Sequence, residues 1–184
     1  MKLWLLRHAA VVLAPGLCYG ATDVAADAAL TGEAARNAAA FLPLGLPVWT
    51  SALERTRQLG AALQALRPDL EAPLAEARLN EMNFGQWELQ AWSAVPRACF
   101  DTWMADFGHH RFGGEESTQM VLDRVGAVVS DLKALGVNEA VWITHAGVIR
   151  AVQYLGLHGS DPIGSVEQWP RDAPQPGGYI QMAL

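Results

Sequence analysis

Residues 2–8 of this chain read Lys-Leu-Trp-Leu-Leu-Arg-His, and they give the first indication of the fold class. Its apolar part is too short for a helix and ends in two polar side chains, Arg7 and His8. That combination is typical of a buried strand that presents polar residues at its tip. The same pattern recurs twice along the chain, at 47–50 and at 140–143, where the tip is Thr144-His145.

Helical signals follow each of these predicted strands. An alanine-rich segment favours a helix from Thr31 to just before Pro43. Two serines are candidate helix caps: Ser51, in the Ser-x-x-Glu pattern of a capping box, and Ser117, before a run of apolar residues at helical spacing. A last helix is predicted over 148–155.

Alternating strands and helices predict an α/β fold, a three-layer α/β/α sandwich with a mostly parallel central sheet. Residues 178–184 are expected to close the sheet as a further strand. Residues 1–184 are expected to form a single domain, since no linker divides them. Within that domain, the segment at about 79–112 is rich in aromatic residues and predicts short helices laid over the core as a lid.

The composition excludes several classes of protein. Hydrophobic residues make up 51% of the chain and charged residues 17%, which indicates a globular protein rather than a disordered or fibrous one. The 13 basic and 19 acidic residues give a net charge of −6, without a basic run. A nucleic-acid partner is therefore not expected.

The two cysteines and the N-terminal segment indicate in which cellular compartment the protein is expected. Cys18 and Cys99 lie far apart and form no Cys-x-x-Cys pair, which argues against a disulfide framework and a zinc site. Arg7 and His8 interrupt the first apolar run, so it does not resemble a signal peptide. No stretch approaches the length of a membrane span. We expect a cytoplasmic protein without a membrane partner.

The predicted strand tips bring a particular set of side chains together. In open α/β sheets, ligands bind outside the carboxyl ends of the strands. Arg7 and His8 follow the first strand, Arg55 lies just after the second, and His145 follows a later one. Guanidinium groups match the oxygens of a phosphoryl group, and a neutral imidazole is a nucleophile. This edge of the sheet therefore predicts a site for a dianion such as a phosphate ester.

The residues around these positions match a known set of motifs. The matching segments are Leu5-Leu-Arg7-His8, Tyr19-Gly20-Ala-Thr22-Asp23, Ser51-Ala-Leu-Glu-Arg55-Thr-Arg-Gln58, Glu81-Met-Asn-Phe84-Gly85-Gln-Trp87-Glu88, Glu116-Ser117 with Arg124, and Thr144-His145-Ala-Gly147-Val-Ile-Arg150. In this order they resemble the histidine phosphatase superfamily, with its phosphoglycerate-mutase-like fold. The short chain and the Phe-Gly-x-Trp-Glu motif are most similar to the small α-ribazole phosphatase group, which acts in cobalamin synthesis.

The resemblance implies a phosphomonoesterase that works through a phosphohistidine and needs no metal or other cofactor. His8 would be the nucleophile, Glu81 the proton donor and later the base, and Arg7, Arg55 and His145 the groups that hold the phosphoryl oxygens. Substrate contacts are implied at Gly20, Thr22 and Ala146, and the partner would be a small-molecule phosphate ester. The adjacent pair His109-His110 predicts a solvated loop, because neighbouring side chains diverge.

Four positions depart from the family pattern. Ala9 and Ala146 stand where glycine usually follows the two histidines, Glu115 precedes Glu116-Ser117 in place of glycine, and Leu89 follows Trp87-Glu88 in place of glycine. A methyl group is costly where the backbone needs a positive φ or a close approach to phosphate. Ala9 and Ala146 keep open a catalytically impaired protein that only binds a phosphorylated ligand. Within the family, a phosphoglycerate mutase and a phosphohistidine-protein phosphatase also stay open as alternatives. The sequence leaves the oligomeric state open.

Overall fold

Five strands form a single sheet in this computed structural model, which describes residues 1–184. The strands are β1 (Lys2–Arg7), β2 (Val48–Thr50), β3 (Leu74–Ala75), β4 (Glu139–Thr144) and β5 (Tyr179–Ala183). The helices are α1 (Ala28–Phe41), α2 (Glu54–Leu66), α3 (Arg97–Ala105), α4 (Thr118–Ala134) and α5 (Ala146–His158). Short 3-10 helices lie at Ala77–Leu79, Gly85–Trp87, Trp92–Ala94 and Val166–Gln168.

The strand order is β3-β2-β4-β1-β5. The first four strands run parallel, and β5 pairs antiparallel with β1 at the edge. The mostly parallel sheet and the closing strand are therefore both confirmed. The two-residue β3 has no counterpart in the sequence prediction, because a run that short has no periodicity to recognise.

Helices cover both faces of the sheet, as predicted for a three-layer sandwich. On β1, Leu3 and Leu5 face a core shared with α4 and α5, whereas Trp4 and Leu6 face a second core shared with α1 and α2. β4 alternates in the same way between the two cores. Side chains on a strand point to opposite faces in turn, so a strand covered on both sides reads as one continuous apolar run.

The predicted capping box at the start of α2 is wrong. The helix begins at Glu54 with Leu53 as its N-cap residue, and Leu53 makes no side-chain capping bond. The carboxylate of Asp23 instead accepts the Glu54 N–H at 2.6 Å. The Ser51 hydroxyl accepts the N–H of Leu53, before the helix, at 3.2 Å, and it also belongs to a buried network with His145, described below. The cap at Ser117 does form, with its side chain accepting the N–H of Met120.

The aromatic segment at 79–112 consists of short 3-10 helices followed by α3, as expected. Its rings pack around the fully buried Phe112, with Trp103 stacked on it at 4.4 Å between centroids and Phe100 at 5.3 Å. These rings extend the core on the α4 and α5 side. A role as a lid stays a prediction. None of the helices combines the length and apolar character that a membrane crossing requires.

Candidate active site

The carboxyl edge of the sheet collects the side chains that the sequence placed there. His8 and His145 follow β1 and β4, and their rings lie 5.1 Å apart between centroids. The two strand ends are joined directly, since the His8 N–H donates to the carbonyl of Thr144. Arg55, in the first turn of α2, reaches the same place and donates from Nε to His145 Nδ1 at 3.3 Å.

His8 is held as a neutral imidazole with a defined tautomer. Its Nδ1 lies 2.7 Å from the carbonyl oxygen of Ala9, which accepts a hydrogen bond and so fixes the proton on Nδ1. Nε2 therefore keeps its lone pair. Burial, the largest cause, lowers the pKa of His8 to about 3; the hydrogen bond to Ala9 opposes this shift, and the positive charges of Arg55 and Arg7 contribute to it. Unprotonated Nε2 is the form a nucleophile needs.

His145 is completely buried and has both ring nitrogens engaged. Nδ1 accepts from Arg55, so Nε2 carries the proton and donates to the hydroxyl of Ser51 at 2.8 Å. The Ser51 hydroxyl is in turn hydrogen-bonded to the hydroxyl of Thr56, which donates to the carbonyl of Leu53 at 2.8 Å. Burial holds the pKa of His145 well below its usual range, reinforced by His8 and the nearby arginines. A direct contact between His145 and phosphate stays a prediction.

Arg55 is fully buried and makes no ion pair. Besides its bond to His145, it donates from Nη1 to the carbonyl of Thr22 at 2.9 Å and from Nη2 to the carbonyl of Gly20 at 2.6 Å. Each terminal nitrogen keeps a second N–H for an incoming anion. The face of Tyr19 lies 5.4 Å from the guanidinium carbon. These backbone carbonyls thus orient the guanidinium group without neutralising its charge.

Arg7 completes the positive side of the site. Its Nη1 donates to the carbonyl of Pro174 at 2.9 Å, which places the 174–177 segment over the end of β1. The N–H of Gly177 also bonds the carbonyl of His8 at 2.9 Å. Burial lowers the pKa of both Arg7 and Arg55, and the carboxylate of Glu81 opposes that effect at each. His8 is only 2% exposed, so the protein encloses its side chain almost completely.

Glu81 is fixed by contacts at both ends of its segment. The hydroxyl of Thr144 donates to the carbonyl of Leu79 at 2.8 Å, which anchors the chain just before Glu81 to the tip of β4. The carboxylate accepts the N–H of Met82 at 3.1 Å and the N–H of Gly147 at 3.0 Å. A Cβ on Gly147 would lie 2.2 Å from a Glu81 oxygen, so this approach requires glycine. The first turn of α5 therefore holds Glu81 in place.

Glu88 is a central residue of the site that sequence reasoning missed. Its half-buried carboxylate accepts the N–H groups of Gly20, Ala21, Thr22 and Phe84, and the hydroxyl of Thr22. Burial raises the pKa of Glu88, but these hydrogen bonds outweigh it and leave the pKa below its usual value. The sequence signal that could have identified Glu88 is its position directly after Trp87 in the Phe84-Gly85-Gln-Trp87-Glu88 motif.

The three predicted substrate contacts lie next to these residues. Gly20 and Thr22 direct their N–H groups to Glu88 and their carbonyls to Arg55. Ala146 is the first residue of α5, directly after His145. Contact of these three with a substrate stays a prediction. Neither Ala9 nor Ala146 has a positive φ, so their methyl groups cause no backbone strain; the one non-glycine residue that does is Leu89, at 63°.

Three further arginines of the quoted motifs have separate environments. Arg124 pairs with Glu116 at 2.7 Å, and Arg57 lies 3.9 Å from Asp23. Arg150 is half-buried and lines a cavity beside Glu81. No group of three His, Cys, Asp or Glu side chains is arranged to hold a metal ion. The arrangement brings together a neutral imidazole that can act as a nucleophile, two guanidinium groups and a carboxylate that can transfer a proton.

Comparisons with known proteins agree with this geometry. The family model described as the histidine phosphatase superfamily (branch 1) matches residues 3–163. TTHB049 from Thermus thermophilus is similar in structure, with a TM-score of 0.74 and 28% identity over 100% of this chain and 94% of that one. A structure described as phosphoglycerate mutase from the same organism has a TM-score of 0.72 and 28% identity over 98% and 92%.

A mycobacterial protein described as hydrolase 2 has a TM-score of 0.80 over 98% of this chain and 80% of that one. Its identity is 20%, so that likeness concerns the fold alone. Among curated proteins, none matches the chain.

Proposed function

Because the chain belongs to the histidine phosphatase superfamily, we propose that it hydrolyses small-molecule phosphate monoesters through a phosphohistidine intermediate on His8. One observation carries the proposal: His8 is neutral, its Nδ1 is tied to the carbonyl of Ala9, and its Nε2 lone pair is free beside the guanidinium groups of Arg7 and Arg55. A nucleophile and the charges that stabilise a phosphoryl transition state are thus supplied by protein groups alone.

The first chemical step forms a bond from His8 Nε2 to phosphorus and breaks the bond from phosphorus to the leaving oxygen. Arg7 and Arg55 stabilise the charge on the oxygens that remain on phosphorus. Glu81, in its protonated form, gives its proton to the leaving oxygen. The products of this step are an alcohol, the phosphohistidine and the Glu81 carboxylate.

The second step returns the enzyme to its starting state. The Glu81 carboxylate takes a proton from water, the oxygen of that water attacks phosphorus, and the bond from phosphorus to Nε2 breaks. Inorganic phosphate leaves, and His8 is again neutral with its proton on Nδ1. The N–H groups of Met82 and Gly147 fix the position of the Glu81 carboxylate, which suits it to act as the base in this step.

Hydrolysis of p-nitrophenyl phosphate in excess chelator tests this proposal, with wild type and His8→Ala measured in parallel. We expect turnover in the wild type that resists the chelator and is lost in the variant. Retention of a cooperative unfolding transition in His8→Ala shows that the fold has survived. Phosphate binding without turnover in the wild type would favour the impaired binding protein, and turnover in His8→Ala would contradict the mechanism.

For the substrate itself, we propose α-ribazole 5'-phosphate as the first compound to test. The support is the resemblance of the Phe84-Gly-x-Trp87-Glu88 motif, together with the short chain, to the α-ribazole phosphatase group. Its hydrolysis yields α-ribazole and inorganic phosphate. A kcat/KM no better than that for simple alkyl phosphates would overturn this assignment while leaving the phosphatase activity standing. A phosphohistidine protein enters the same comparison as a rival substrate.

A mutase is the second candidate, because one structural relative at 28% identity is described as a phosphoglycerate mutase. The substrates of a phosphoglycerate mutase carry a carboxylate besides the phosphate. An open cleft of about 350 Å³ is lined by three carboxylates, those of Glu81, Glu115 and Glu116. The one arginine that lines this cleft, Arg124, is paired with Glu116. This acidic lining disfavours a second anionic group, so we expect 3-phosphoglycerate to give inorganic phosphate slowly and no 2-phosphoglycerate.

A further inference from the structure

The ion pair of Glu116 and Arg124 contacts the backbone on both sides of Glu81. Arg124, in α4, donates from Nη1 to the carbonyl of Arg78 at 2.6 Å. The carboxylate of Glu116, which lies just before α4, accepts the N–H of Asn83 at 3.0 Å. One bond therefore lies before Glu81 in the chain and the other lies after it. The pair holds the segment that carries the proposed proton donor at both of its ends.

The two side chains of this pair fix each other's orientation. Arg124 donates to Glu116 twice, from Nε to Oε1 at 2.7 Å and from Nη2 to Oε2 at 3.2 Å. A two-bond contact between a guanidinium group and a carboxylate sets direction as well as distance. The exposed fraction is only 18% for the side chain of Arg124 and 14% for that of Glu116. The pair is therefore a better-defined support than an exposed ion pair, which contributes little.

The two backbone contacts depend on each other. Oε2 of Glu116 accepts from Arg124 and also from the N–H of Asn83, so Arg124 orients the oxygen that holds Asn83. Glu116 in turn orients the guanidinium group whose Nη1 holds the carbonyl of Arg78. The loss of either side chain is therefore expected to loosen both ends of the segment.

The groups that bind phosphate in the proposed mechanism have separate supports. Arg7 and Arg55 are oriented by backbone carbonyls of other segments, and neither is bonded to Glu116 or Arg124. Damage to the pair is therefore expected to displace Glu81 while leaving the two phosphate-binding guanidinium groups in place. Proton transfer and anion binding can be disturbed separately in this protein.

We propose that Glu116 and Arg124 are positioning residues that hold Glu81 where it can give a proton to the leaving oxygen and later take one from water. The proposal rests on the phosphatase activity proposed above. Neither side chain exchanges a proton or touches the reacting atoms, and both act through Glu81. Displacement of a reacting group by about 1 Å costs on the order of 100-fold in rate, so a loosened segment has a measurable effect.

Four esters of similar shape test the proposal: p-nitrophenyl, p-chlorophenyl, phenyl and p-methoxyphenyl phosphate. The pKa of the leaving phenol rises in that order, so the leaving oxygen depends increasingly on a proton from Glu81. For Arg124→Gln we expect kcat/KM to fall about twofold with p-nitrophenyl phosphate and about tenfold or more with p-methoxyphenyl phosphate. A loss that grows along the series is the signature of impaired proton transfer, because a general loss of folded protein affects all four esters equally.

Two further measurements show whether the pair acts through Glu81. The inhibition constant of inorganic phosphate is expected to be the same for Arg124→Gln and wild type, because a positioning role leaves anion binding intact. In a Glu81→Gln background, Arg124→Gln is expected to cause no further loss, since residues that act as one unit have effects that do not add. An equal loss in both backgrounds would overturn the proposal.

Two variants extend the test, and a third is its control. Glu116→Gln is expected to show the same growing loss. Arg124→Lys keeps the charge without the two-bond contact and is expected to lie between Arg124→Gln and wild type, which preserves the test if Arg124→Gln folds poorly. Arg67→Gln is the matched control, because Arg67 also binds a carboxylate twice, at 2.7 and 2.8 Å to Asp69, but lies at the opposite end of α2 from Arg55. Its activity on all four esters is expected to equal that of wild type.

The outcomes separate the two proposals. Failure of the wild type to hydrolyse any of the four esters would contradict the phosphatase function itself. Hydrolysis by the wild type, with a loss in Arg124→Gln that is equal for all four esters or absent, would leave that function standing and overturn the positioning role. A raised inhibition constant of phosphate would also overturn it, in favour of a direct contact between Arg124 and the substrate. A growing loss that disappears in the Glu81→Gln background supports both proposals.

Discussion

Gly20 links Glu88 to Arg55: its N–H donates to the Glu88 carboxylate at 2.9 Å, and its carbonyl accepts from Arg55 at 2.6 Å. A Cβ on Gly20 would lie 1.9 Å from the carbonyl oxygen of Met82, so only glycine allows the two segments to approach this closely. Glu88 thus fixes the loop whose carbonyls aim the guanidinium group, although it lies outside the reacting atoms.

Glu88→Gln is expected to weaken phosphate binding by misplacing Arg55. The amide nitrogen of Gln cannot accept the N–H groups that converge on this carboxylate, and hydrogen bonds to a charged group contribute about 1.5–3 kcal/mol each. We expect the inhibition constant of inorganic phosphate to rise about tenfold or more and kcat/KM to fall in parallel. Glu71→Gln, at an exposed position, is the control. Equal constants for both variants would show that Glu88 does not position Arg55.

Gly147→Ala is expected to reduce kcat by displacing Glu81. The added methyl would lie 2.2 Å from a carboxylate oxygen, so the carboxylate has to move. Misplacement by about 1 Å costs on the order of 100-fold in rate, and we expect a loss of that size in esters with poor leaving groups. Gly126→Ala, in α4, places its methyl 3.6 Å from Leu155 and is expected to keep full activity.

Stability is expected to fall as the pH drops below 6.5. His8 and His145 are neutral in the folded protein with lowered pKa values, about 3 for His8, whereas in the unfolded chain they titrate near 6.5. The unfolded state therefore binds more protons between about pH 6.5 and 3. Each histidine can add a slope of up to about 1.4 kcal/mol per pH unit in that window. Urea unfolding at pH 7, 6 and 5 is expected to show a shallower decline for His8→Asn than for wild type, and parallel declines would refute this account.

Leu89→Gly is expected to stabilise the protein. Leu89 has a φ of 63°, which costs a residue with a side chain roughly 1–2 kcal/mol, while its side chain is 49% exposed and contributes little burial. Glycine loses part of this gain through its greater unfolded-state entropy. We expect a net gain of about 0.5–1 kcal/mol in the free energy of unfolding. Leu135→Gly, at an exposed position with a φ of −78°, is expected to be destabilising instead.

The features that can be predicted from the sequence are those that depend on a short run of neighbouring residues. The apolar runs that end in His8 and His145 predict buried strands with polar tips, and parallel strands place those tips at one edge. The two-sided alternation on β1 follows from the same run, because a strand buried on both faces needs no polar positions. Fold class and the meeting of His8, Arg55 and His145 could therefore be deduced before any coordinates.

The features that escaped prediction depend on distant partners. Ser51 fits a local capping pattern, yet its hydroxyl bonds His145, 94 residues away. In the sequence Glu88 looks like an ordinary carboxylate, because its partner Gly20 lies 68 residues earlier and contacts it only in the folded protein. Arg150 is one helical arginine among several, and only the packing of α5 beside the aromatic segment places it at the cavity. Side-chain roles of this kind follow from tertiary packing: a motif marks the position of Glu88, but it does not show which distant groups the carboxylate binds.

The most direct test of the central claim is to trap the phosphoenzyme. Rapid quenching of wild type with a labelled phosphate ester, followed by peptide mapping, is expected to place one acid-labile, base-stable phosphoryl group on His8 at Nε2, formed and lost at rates compatible with turnover. The same label is expected to be absent from His8→Ala. Turnover without a phosphoryl group on His8, or a label that persists in His8→Ala, would contradict the account.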